Sequence, residues 1–103
     1  MAVEFITTRV TVPPGKGRRK LTGQVPFQQK VRVANIALRG FVLDFASSDH
    51  HINVVEVTTD FAGVEGEIVH FRVNCQYADK NFDDQYSGHV DVLVIADLQS
   101  FTG

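Results

Sequence analysis

The sequence predicts an all-β fold, an antiparallel β-sandwich of about six strands. Three observations carry that prediction. Apolar residues recur with a period of 2 rather than 3.6. Polar turn clusters divide the apolar runs at short intervals: PPGKG at 13–17, ASSD at 46–49, GVEG at 63–66 and ADKNFDDQYSG at 78–88. No segment joins helical periodicity to capping residues.

Taken in order, residues 3–12 (VEFITTRVTV) read as a strand that Pro13-Pro14 ends, because proline cannot donate to a ladder. Residues 31–45 (VRVANIALRGFVLDF) are too long for one flat strand, and Gly40 marks a bend or bulge between two shorter pieces. Residues 52–58 (INVVEVT) are β-branched, and their alternation changes phase at Val54-Val55, which predicts a bulge. In 68–75, Val69, Phe71, Val73 and Cys75 alternate with His70, Arg72 and Asn74, the pattern of a strand with one buried face. The last run, 90–98, places Val90, Val92, Val94, Ala96 and Leu98 on one face and Asp91, Leu93, Ile95 and Asp97 on the other. Leu93 and Ile95 make this strand apolar on both sides, so a second cover is expected, from another subunit or from the N-terminal strand or a loop.

A chain of 103 residues forms one domain, 1–103, with residues 1–20 as N-terminal strand and basic turn and 21–103 as core. No apolar run approaches the ~18 residues of a membrane-spanning helix. The N-terminus MAVEFITTRV shows no basic segment followed by an apolar one, so no signal peptide is visible. A cytoplasmic location is the default expectation, and release to the extracellular space by lysis is compatible with it. The single cysteine, Cys75, excludes an internal disulfide framework. It falls on the inward phase and reads as a small core residue rather than a nucleophile.

Charge is sorted along the chain. Residues 1–43 hold eight Lys/Arg and one acid, and residues 44–103 hold eleven acids and two bases, giving +7 and −9. Such halves attract each other, within one fold or between subunits. The basic run Lys16, Arg18, Arg19, Lys20 has Gly and Pro flanks and no interleaved aromatic for base stacking. A solvated hairpin tip, or a contact with a neighbour's acidic 79–84 segment, is expected there in preference to nucleic acid.

Candidate chemistry is confined to two segments. Asp79, Asn81 and Asp83 stand at i, i+2 and i+4, the spacing by which an oxygen-rich loop wraps calcium. Asp84 at the sixth position and Val90 at the twelfth depart from that loop, and turn formation is the stronger reading of these residues. No cofactor is therefore expected, with calcium the one candidate. Asp49-His50-His51 invites a metal or catalytic reading. A three-histidine site needs three of His50, His51, His70 and His89 to converge, and the spacing does not compel that. A turn capped by Asp49, with histidines packing or hydrogen-bonding, is the simpler reading. There is no nucleophile elbow, and Gly15-Lys16-Gly17 lacks the spacing of a phosphate-binding loop. The chain reads as a non-enzyme.

The strand order resembles the H-type lectin domain. The matching stretches are Gln24-Val25-Pro26-Phe27, Val31 to Phe45, residues 51–58 with 68–77, and Ser87 to Leu98, so the likeness spans roughly residues 20–100. The resemblance implies a six-stranded antiparallel sandwich that assembles as a homotrimer and binds carbohydrate, and it assigns no binding residue. Sugar recognition on such a scaffold draws on loop carboxylates, amides, imidazoles and rings. The residues offering that mixture are Asp49, His50, His51, Tyr77, Asp79, Asn81, Asp83 and Tyr86. The expected function is a non-enzymatic oligomeric carbohydrate-binding module. The alternative is an assembly protein such as a fibre, capsid or compartment component.

Overall fold

The computed structural model describes residues 2–45, 54–78 and 85–99. They form six strands: β1 (Ala2–Gly15), β2 (Arg19–Pro26), β3 (Val31–Phe45), β4 (Val54–Glu65), β5 (Ile68–Ala78) and β6 (Tyr86–Leu98). Two three-stranded antiparallel sheets pack face to face, one in the order β1-β6-β3 and the other β2-β5-β4. The predicted sandwich is thus the observed fold.

The core lies where the period-2 pattern puts it. Val69, Val73 and Cys75 of β5 and Val90, Val92, Val94 and Ala96 of β6 are 0% exposed. These are the two central strands, each flanked on both sides. Every buried valine contributes on the order of 1.5–3 kcal/mol relative to exposure. Edge strands supply Ile6, Val10, Ile36 and Val57 as partly buried packing. Gly23 of β2 sits opposite Phe71 in the β2–β5 ladder, and a Cβ there would strike the Phe71 ring. The missing side chain is what lets that ring lie flat in the core.

Three local expectations are corrected. Pro13-Pro14 does not end β1, which runs on to Gly15 through a register shift between Val12 and Gly15. β1 is an edge strand, so its outer backbone groups face no ladder, and a bulge accommodates proline there. The β4–β5 ladder is regular at Val54-Val55, where a bulge was expected. The shift falls instead between Phe61 and Gly63, and β4 extends well beyond residue 58. The chain then reverses at Gly66-Glu67, with Gly66 at φ 61°, the left-handed geometry of a two-residue hairpin. β3 is one continuous strand of 15 residues rather than two pieces. The irregularity at Gly40 does appear, as a register shift between Leu38 and Gly40.

Long strands make a long molecule. The principal extents are 58 × 17 × 17 Å and the radius of gyration is 16.3 Å, against about 13 Å for a compact chain of ~100 residues. One end of the rod is latched by backbone bonds. The Phe27 N–H donates to the Glu67 carbonyl (2.8 Å), the Val31 N–H to that of Gly66 (3.0 Å) and the Gln99 N–H to that of Lys30 (2.7 Å).

The charge split closes inside the fold. Arg9 donates from Nε to Asp91 Oδ1 (2.8 Å), Arg32 lies 3.9 Å from Asp97, and Arg18 pairs with Glu56. Each pair joins a base of the N-terminal half to an acid of the C-terminal half. Topology makes this systematic, because β1 and β3 pair with β6, and β2 pairs with β5.

Candidate functional site

The strand termini that flank the sequence's candidate segments stand at the end of the rod opposite the latch. β1 ends and β2 begins there, as do the pairs β3/β4 and β5/β6. Phe45 pairs with Tyr86 and Val54 with Ala78, so the segments 46–53 and 79–84 are anchored at one end of the sandwich. Asp49, His50, His51, Asp79, Asn81 and Asp83 belong to those segments and lie outside the described residues. The topology brings their anchors together, which sequence spacing alone does not do.

Between the anchors lies an aromatic floor. The Phe45 and Tyr77 rings are 4.5 Å apart and tilted by 32°, and Tyr77 meets Tyr86 edge-on at 6.1 Å. Tyr77 is half-buried, with part of its ring still facing outward. Tyr86 is not available as a ligand platform on this chain, because it is only 1% exposed. Its hydroxyl donates to the Gly17 carbonyl (2.7 Å), with the Cys75 carbonyl at 3.2 Å, and so ties the β1–β2 turn to the core. Burial pushes the Tyr86 phenol well above its ordinary range, with the neighbouring Cys75 acting the same way and Arg19 opposing.

The basic run divides over this corner. Arg18 reaches Glu56 of β4. Arg19 turns inward, its guanidinium carbon 5.7 Å from the centre of the Tyr86 ring. It occupies the space that a Cβ on Gly15 would need, and its Nη1 is buried without a hydrogen-bond partner. Lys20 faces outward opposite Asn74. The run is therefore not one cationic patch.

A second polar region occupies the outer face of β2-β5-β4. Lys20, Thr22 and Gln24 of β2, His70, Arg72 and Asn74 of β5, and Glu56, Thr58 and Asp60 of β4 share this face by register. Asn74 Nδ2 donates to Asp60 Oδ2 (3.2 Å), and His70 Nε2 lies 3.8 Å from Glu65. A shallow concavity of about 410 Å³ spans the three strands, lined by Thr22, Gln24, Ala62, His70 and Arg72 over the Gly23–Phe71 pair. Ala62 of β4, at the register shift between Phe61 and Gly63, presents only a methyl beside His70 and Arg72. Hydroxyl, amide, imidazole and guanidinium groups converge on the concavity, a set that donates to and accepts from sugar hydroxyls. The polar phase of 68–75 announced an outer face. The dent within it depends on which strands flank β5, and that is not in the sequence pattern.

The remaining candidates are kept apart by the sheets. His70 is on the outer face of one sheet and His89 on that of the other, so the two described histidines do not converge. Among the described residues no group of three His, Cys, Asp or Glu side chains has metal-binding proximity. Cys75 is buried in the core, and burial pushes its thiol up, consistent with a packing role. No helix of the described residues is long and apolar enough to cross a membrane. Comparison of the chain with protein-family models, with curated proteins and with solved structures returned no match.

Proposed function

We propose that this chain is a non-enzymatic, self-associating binding module whose ligand is a carbohydrate. The observation that carries the reading is that the two outer faces of the sandwich differ in kind. The β2-β5-β4 face is polar and dented, while the β1-β6-β3 face exposes Val3, Phe5 and Val33 around half-buried Leu93 and Ile95. A module that used neither face would have both polar, since an apolar outer face raises the risk of non-specific association.

On this reading Thr22, Gln24, His70 and Arg72 contact the sugar on the polar face. Tyr77 and Phe45 form a stacking surface, and Asp49, His50, His51, Asp79, Asn81 and Asp83, which lie outside the described residues, are the further candidate contacts. Several weak copies in one particle would bind a multivalent glycan surface by avidity. The test is a glycan array with the purified protein, with and without calcium, repeated with Arg72→Ala. Binding that the substitution weakens supports the concavity. Binding that needs calcium brings in Asp79, Asn81 and Asp83. A blank array under all conditions removes the carbohydrate reading.

The second reading is a purely structural component of a fibre, capsid or compartment. The rod shape and the apolar face favour it, because neither requires a ligand.

A further inference from the structure

We infer that the outer face of β1-β6-β3 is the surface on which copies of this chain associate. The inference rests on the self-association in the function proposed above and names the surface that performs it.

The face is organised in rows by strand register. Val3, Asp97 and Val33 stand side by side, then Phe5, Ile95 and Asn35, then Thr7, Leu93 and Ala37, then Arg9 and Asp91 beside Gly40. Phe5 is 64% exposed, Val33 57% and Val3 51%. Rows centred on Ile95 and Leu93 thus lie between rows centred on Asp97 and Asp91, a mainly apolar middle with charge at either side. No other layer of the described residues covers them.

Two features select a second copy as the occupant. The first is charge. Arg9, Arg32 and Arg39 are matched by Asp44, Asp91 and Asp97 on this face, and Arg9 is already hydrogen-bonded to Asp91 and Arg32 set beside Asp97. A neutral face with its charges paired internally meets its own copy without net repulsion, and gives an oppositely charged partner no advantage. The second is area. Thirteen residues of β6 at ~3.3 Å each, across three strands at ~4.8 Å, make the whole face a strip of about 43 × 14 Å, of which the rows from Asp97 to Asp91 take about half the length. The whole strip is about 600 Å² per copy and about 1,200 Å² per pair, the lower bound for a stable protein interface. A second copy spans all three strands of the strip, whereas a single extended peptide covers about one strand's width.

The test is the solution mass by analytical ultracentrifugation, for the wild-type chain and for Phe5→Lys and Val33→Lys. Both side chains are exposed on edge strands, so the fold tolerates the lysines, and circular dichroism checks this. Thr22→Lys on the opposite face is the control. The expected result is a defined wild-type oligomer whose dissociation constant rises about a hundredfold or more in each face variant, as for a charge forced into a dry interface, with the control unchanged. A wild-type monomer at 100 µM, a concentration set well above about micromolar affinity, would overturn self-association altogether. An oligomer that persists in both face variants would overturn this surface alone, leaving self-association intact. Glycan binding by a monomeric Phe5→Lys variant separates the ligand reading from both.

Discussion

Replacing Tyr86 by Phe isolates the tether between the β1–β2 turn and the core. The substitution keeps the ring and its edge-on contact with Tyr77, and removes only the hydroxyl that donates to the Gly17 carbonyl at 2.7 Å. A net hydrogen bond stabilises by about 0.5–1.5 kcal/mol, and a part-buried acceptor left unpaired adds to the loss, so about 1–2 kcal/mol is expected. At this chain length each kcal/mol corresponds to about 4–8 °C in Tm. The pH dependence gives a second signature. The folded state holds the phenol neutral above its unfolded value of 10.0. That stability is complete below about pH 10 and is lost as pH rises toward the higher folded value. Cys75, also pushed up by burial from 9.0, loses stability in the same direction but from a lower pH, and is present in both proteins. Thermal unfolding of the two proteins at equal concentration, from neutral to alkaline pH, should therefore show a gap that narrows above about pH 10. Equal stability at neutral pH, or parallel alkaline limbs, would refute the tether.

Three further outcomes are expected. Gly23→Ala drives a methyl into the Phe71 ring and should cost about 1–3 kcal/mol by overpacking, with partial recovery on adding Phe71→Leu, as read by urea denaturation. Asp91 is held below its ordinary value chiefly by the hydrogen bond from Arg9, so wild-type stability should fall as pH drops below about 4. Asp91→Asn should flatten that acid limb while changing little near neutrality, since the pair is on the surface. Cys75 is buried, so a thiol reagent should modify it at a rate that follows global unfolding, and fast labelling of the folded protein would contradict the described core.

The central strands were legible in the sequence because alternation there is complete. Val69 to Cys75 and Val90 to Leu98 are buried on the phase that the residues announce. Edge strands were less legible. β1 carries Pro13-Pro14 inside it, since one side of an edge strand has no partner to lose. The phase change at Val54-Val55 arises within a regular ladder, because an edge position such as Val55 remains exposed whatever its chemistry. The concavity was not legible at all. It needs Thr22 and Gln24 of β2 and Ala62 of β4 to flank His70 and Arg72, a juxtaposition set by strand order. Tyr86 was not legible as a core residue for a related reason, as its ring is buried beside Arg19 while its neighbours in sequence, Asp83, Asp84, Gln85 and Ser87, are polar.

The connectivity bears on how the chain reaches this state. β4–β5 is the one hairpin among the described strands, and the β1-β6-β3 sheet pairs Ala2 with Leu98 and Val31 with Leu98. A ribosome delivers β6 after the other five strands, so β1 and β3 wait without their central partner until it emerges. The β4–β5 hairpin has the shortest loop to close and is the natural place for structure to begin. Until β6 arrives, two long strands with open edges are available to any neighbouring chain. Production in a cell should therefore be sensitive to chaperone supply and growth temperature, and deletion of β6 should abolish folding rather than weaken it.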